Sequence, residues 1–150
     1  MQSVTVKGVA DASPNDVQSV LDPRSIIDYA GNYDVVSVEP IDGRQLVKVR
    51  KTSSKTADIE AVFEFMEQEI GYTYTQREDV GPYRKMRTEI IVERTENYDA
   101  ETLITVHSEF TFGGPLRLLI DPVAAKYRQR ELEQLISNLV TRVEDGTVEV

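Results

Sequence analysis

The feature that most narrows the fold is a change of period late in the chain. Residues Ala100 to Phe112 alternate apolar and polar, as a strand with one buried face does. Gly113, Gly114 and Pro115 stop the alternation, and from Leu116 to Val143 apolar residues return at helical spacing. Long strands followed by one long helix predict a sheet curled around that helix, an arrangement able to enclose a cavity.

The rest of the chain supplies the other strands. Gln2 to Asp11 reads as a first strand, with Val4 and Val6 on one face. Ser13-Pro14 opens a short helix running to about Leu21, and Asp22-Pro23 opens a second through Tyr29. A meander follows: Tyr33 to Glu39, the Asp42-Gly43 turn, Arg44 to Lys51, then Asp58 to Met66. Ile70, Tyr72 and Tyr74 share a face, and Tyr83 to Arg94 forms a long strand before the last one. Seven strands, each with one apolar face, predict an antiparallel sheet covered on one side by the helix. Pro122 is expected to bend or divide that helix near Asp121.

Size and composition bound what such a fold can do. One domain over residues 1–150 is expected, large enough to bury roughly two-thirds of its unfolded surface. A net charge of -9 disfavours nucleic acid as a partner. Arginine outnumbers lysine 11 to 6, a balance compatible with a high-salt habitat and equally with an ordinary acidic protein. The apolar runs are too short for a membrane-spanning helix, and the N-terminal residues read as a strand rather than a leader, so a cytoplasmic protein is expected. The lack of cysteine removes thiolate chemistry, and a single histidine removes any site with two histidines. No metal-ligand spacing is present, and no cofactor is expected.

Strand parity selects an inner face of Phe63, Phe65, Tyr72, Tyr74, Met86, Thr88, Ile90, Val106, Ser108 and Phe110. Large aromatics mixed with a few hydroxyls suit a small-molecule pocket, although the same face could simply fill a solid core. Leu119, Val123 and Tyr127 are the ligand-facing candidates on the helix, while Lys126, Arg128 and Arg130 read as charged separators along its stripe. Arg84 and Arg94 share inward parity near the two ends of their strand, where they either hold a ligand carboxylate at the rim or emerge into solvent. His107 falls on the polar face, where a surface role is expected unless a bulge reverses the parity. The strand carboxylate pairs Glu60 with Glu64 and Glu89 with Glu93 read as solvated surface, and Glu131 with Glu133 is a further pair on the helix. No catalytic set emerges.

Four segments carry a family likeness: Ser13-Pro14 after the first strand, Val36, Val38 and Glu39 before Asp42-Gly43, Ser108 to Leu116, and Glu131 to Leu139. In this order they resemble the START-like superfamily, also called SRPBCC or Bet v 1-like, and most of all its polyketide cyclase/dehydrase and lipid-transport branch. The resemblance implies an α+β helix-grip fold with a deep, mostly apolar cavity between the sheet and the C-terminal helix. It implies binding or transport of a hydrophobic small molecule such as a lipid, isoprenoid or polyketide-like compound. The alternatives are a cyclase/aromatase-type enzyme using Tyr72, Tyr74, Arg84 or Tyr127 as donors, or a protein-interaction module with a filled core. The oligomeric state is left open.

Overall fold

The computed structural model describes residues 2–31, 33–51, 59–77, 83–95, 101–112 and 121–148. Strand β1 (Gln2–Ala10) is followed by helices α1 (Pro14–Ser19) and α2 (Pro23–Ala30). The meander comprises β2 (Asp34–Ile41), β3 (Arg44–Lys51), β4 (Ile59–Glu67), β5 (Tyr72–Gln76), β6 (Tyr83–Arg94) and β7 (Thr102–Phe112), and α3 (Asp121–Val148) follows it. The seven strands form one antiparallel sheet in the order β1-β7-β6-β5-β4-β3-β2. The chain thus has the expected helix-grip architecture.

Local chemistry fixes the element boundaries. Ser13 caps α1 by accepting from the Asp16 amide at 3.2 Å, with Pro14 as the first helical residue. Asp22 caps α2 through the Ser25 amide at 2.9 Å, and Gly31 ends it in the left-handed region at φ 78°. Asp42 and Gly43 both have positive φ, 47° and 78°, as a two-residue hairpin between twisted strands requires. A register shift in β2 leaves Val36 unpaired and exposed, so Val35 and Val38 both pack toward the core.

The inner face of the sheet is apolar along most of its length, including Val47, Val49, Ala61, Ile90, Val92, Ile104 and Val106. Leu132, Leu135, Ile136, Leu139 and Val143 of α3 are buried with them. Each such Leu or Ile contributes about 1.5–3 kcal/mol on leaving water. The helix runs closest to β1 and α2. A side chain at Gly8 of β1 would collide with Ile136, and Asn138 donates to the Tyr29 carbonyl of α2 at 2.8 Å.

Three expectations are modified or fall elsewhere. Residues 113–120, with the Gly-Gly-Pro break and the helix start expected at Leu116, lie outside the described residues. The described helix runs from Asp121, so the bend or division expected at Pro122 falls at the edge of the described residues. Ile70 does not share the inner face with Tyr72 and Tyr74. It is 59% exposed, because β5 begins only after Gly71 turns the chain at φ 107°.

Gly71 is also where α1 grips the sheet. Its amide donates to Gln18 Oε1 at 2.6 Å, and Gln18 Nε2 donates back to its carbonyl at 3.2 Å. A Cβ here would run into the Ile90 carbonyl oxygen, whereas Gly43 has open space around it. Both glycines need positive φ, so the two substitutions separate strain from collision. Gly43→Ala should cost about 1 kcal/mol in urea unfolding and Gly71→Ala at least about 3 kcal/mol. Equal losses would show that the β4–β5 turn is not pressed against β6 as described.

Candidate binding site between sheet and helix

Cross-strand register brings three polar residues into one line on the inner face. Tyr74 of β5 pairs with Thr88 of β6, and Thr88 pairs with Ser108 of β7. The neighbouring pairs on the same face of β6 and β7 are apolar: Ile90 with Val106 on one side and Met86 with Phe110 on the other. Thr88 and Ser108 are completely buried, and their hydroxyls lie 2.9 Å apart. Buried hydroxyls need partners, and the partner that covers these comes from α3.

Arg128 is that partner. It is only 2% exposed, and its guanidinium lies over the polar line. Nε donates to Ser108 Oγ at 3.3 Å, while Nη2 donates to Thr88 Oγ1 at 2.8 Å and to the Tyr74 hydroxyl at 3.4 Å. Nη1 pairs with the Glu131 carboxylate one turn along, whose side chain is 9% exposed. Thr88 Oγ1 also contacts Met86 Sδ at 3.0 Å. A buried guanidinium is tolerated only when paired and hydrogen-bonded, and here all three of its nitrogens are engaged.

The sequence pattern makes Arg128 a charged separator along the stripe and Tyr127 a ligand-facing candidate. In the structure Arg128 is buried, while Tyr127 is 48% exposed with its phenol still close enough to act on that of Tyr33. Helical phase accounts for the burial of Arg128. At 100° per residue from Leu132, Arg128 lies about 40° from the stripe centre and Tyr127 about 140°. The signal was present as the four-residue step from Arg128 to Leu132, but residue type outweighed phase.

An aromatic wall adjoins the polar line. Phe65 stacks on Tyr74 with centroids 4.7 Å apart, and Phe63 meets Tyr74 and Tyr33 edge-on at 5.9 and 6.0 Å. Tyr33 stands just before β2 and was not among the candidates. Burial pushes its phenol up to about 12, with Tyr127 and Tyr74 adding to the rise and Arg128 opposing it. The hydroxyl therefore remains a proton donor at neutral pH. Burial also raises Tyr72.

All ten strand residues selected by parity are buried: Phe63, Phe65, Tyr72, Tyr74, Met86, Thr88, Ile90, Val106, Ser108 and Phe110. Leu119 and the side chain of Val123 lie outside the described residues, as does the side chain of Arg84, which sits at a register shift of β6. Arg94 is exposed at the far end of that strand, opposite Thr102. His107 is half-buried on the outer face, with Nδ1 2.7 Å from Thr5 Oγ1 and Nε2 3.6 Å from Glu109. A hollow of about 350 Å³ also lies on the outer face, lined by Ile41, Asp42, Arg44, Leu46, Glu64 and Arg77. There Arg44, 2.7 Å from Glu64, holds that carboxyl below its ordinary value. Among the described residues no group of three His, Asp or Glu side chains could hold a metal ion, and no helix is long and apolar enough to cross a membrane.

No protein-family model matches the chain, and no curated protein matches it. Solved structures do. A Thermus thermophilus protein aligns over 97% of this chain and 99% of its own at 15% identity, with a TM-score of 0.75. The Zhui aromatase/cyclase of a Streptomyces species aligns over 95% and 93% at 16% identity and a TM-score of 0.73. A START superfamily protein of Mycobacterium smegmatis aligns over 95% and 97% at 14% identity, also with a TM-score of 0.73. At such identities the likeness establishes architecture, and it agrees with the strand order, the paired short helices and the covering helix described above: the chain has the START-like, or Bet v 1-like, helix-grip fold.

Proposed function

We propose that the protein binds a hydrophobic small molecule, of lipid, isoprenoid or polyketide type, between the sheet and α3. The polar end of that molecule would rest against the cluster of Tyr33, Tyr74 and Arg128. The observation carrying this reading is the buried arginine. A folded core has no need of one, since replacing a buried ion pair by apolar residues of similar size is often neutral or stabilising. Arg128 and Glu131 instead hold the hydroxyls of Tyr74, Thr88 and Ser108 in one arrangement beside an otherwise apolar, aromatic surface. Few polar groups in a largely apolar lining is the composition of a site that orients a ligand.

A second reading, a cyclase-type enzyme, is favoured by the convergence of proton donors on one spot and by the likeness to an aromatase/cyclase. Fixed donors could polarise a carbonyl of a poly-keto chain. Tyr72 and Tyr74 remain on the inner face for such a role, and Tyr127, half exposed, lies close enough to act on Tyr33. Turnover of a cyclisable poly-keto substrate, abolished in Arg128→Lys, would move the assignment from carrier to enzyme.

Two outcomes are expected from the binding reading. Organic extraction of the purified protein followed by mass spectrometry should yield a bound apolar compound. Tyr33→Phe and Tyr74→Phe should each weaken its rebinding by about three- to tenfold, the worth of one hydrogen bond. An empty extract, with no uptake of a neutral dye such as Nile red, would favour a filled interior and remove the binding function.

The ion pair makes a separate prediction about stability. Arg128→Met removes the guanidinium that Glu131 pairs with and should cost about 3–5 kcal/mol in denaturant unfolding, while Arg128→Met combined with Glu131→Met should recover most of that loss. Additive losses would show that the two residues do not act as a pair.

A further inference from the structure

The polar pole of the interior is already neutralised, and this bears on which ligands it can hold. Arg128 is the one charged residue among the described ones that is fully buried, and its charge is balanced by Glu131 within the same helix. Its three nitrogens are committed to Ser108, Thr88, Tyr74 and Glu131. The Tyr74 oxygen accepts a hydrogen bond from Arg128 Nη2, which leaves its own O–H to be donated elsewhere. Tyr33, on the same aromatic wall, is likewise a neutral donor. Among the described residues the pole therefore offers phenolic hydrogens beside a guanidinium whose charge Glu131 balances.

We infer that the interior selects neutral molecules carrying a carbonyl-type acceptor, such as a ketone, ester, lactone or quinone, over the corresponding carboxylates, an inference that rests on the binding function proposed above. A carbonyl oxygen has a modest desolvation cost and is well matched by a phenol O–H. A carboxylate entering the same place would bring a further negative charge to a guanidinium that Glu131 already pairs with. Phenols can hydrogen-bond to that carboxylate but cannot neutralise it, and an uncompensated buried charge costs several kcal/mol. Glu131 thus acts as a specificity determinant: it occupies the guanidinium that an acid would otherwise use.

The test is displacement of Nile red, a neutral dye, by laurate and by methyl laurate at a pH of about 8, where a free carboxylic acid is fully ionised. The wild-type protein should bind the ester at least about tenfold more tightly. Since any apolar pocket prefers an ester to some degree, the decisive arm is Glu131→Gln. Removing the Glu131 charge should shift the ester-to-acid affinity ratio at least about tenfold toward laurate. Laurate binding as tightly as the ester in the wild type, or no such shift in Glu131→Gln, overturns the inference.

If Glu131→Gln does not fold, the neutral double variant Arg128→Met with Glu131→Met answers the same question. An unchanged ester-to-acid ratio supports the inference. A rise of more than about tenfold would show that Arg128 had been engaging the carboxylate, and would overturn it. A carboxylic acid recovered from the purified protein would overturn it as well, while leaving the binding function intact. Failure of both probes to displace the dye, together with an empty extract, would remove the binding function and this inference with it.

Discussion

A sheet that is apolar on one face only has to be covered, and here a single helix does most of the covering. α3 approaches β1 so closely that Gly8 leaves no room for a side chain beneath Ile136, and it is tied to α2 by Asn138. Seating the helix at that edge determines the rest of the interior. The far strands β4 and β5 carry Phe63, Phe65, Tyr72 and Tyr74 on their buried face. The contact between Arg128 and Tyr74 joins that face to α3. Position on the sheet thus separates a tightly packed side, built of Val, Ile and Leu, from an aromatic and polar side suited to a ligand.

Much of this was legible in the residues because the signals were local. Ser13-Pro14, Asp22-Pro23 and Asp42-Gly43 act within a few residues of themselves, and all three boundaries formed where their chemistry dictates. Period-two alternation marked the buried face of β4, β6 and β7 because one-sided burial leaves it no other expression. Ile70 departed from its pattern because Gly71 turns the chain between it and Tyr72, a tertiary demand imposed by the carbonyl of Ile90. Tyr33 escaped notice because its burial depends on strands that lie far away in sequence.

The interior polar cluster was half legible. Tyr74, Thr88 and Ser108 followed from parity, but Arg128 did not, since arginine is so rarely buried that its chemistry argued against its phase. Yet the exception is the informative residue. An apolar stripe interrupted by a charged side chain marks the place where apolar packing gives way to a hydrogen-bonded polar cluster.

The polar line has one more consequence, for how the strands find their partners. Alternation forbids a slip of one residue, which would turn every side chain to the wrong face, but it is blind to a slip of two. Moving β6 by two residues against β7 would keep the inner face buried and place Met86 or Ile90 opposite Ser108. Arg128 would then find a methyl or thioether group where Thr88 now accepts its proton. A charged group that adds little to net stability can thus act as a proofreader of register, penalising misaligned sheets that hydrophobic burial alone would accept.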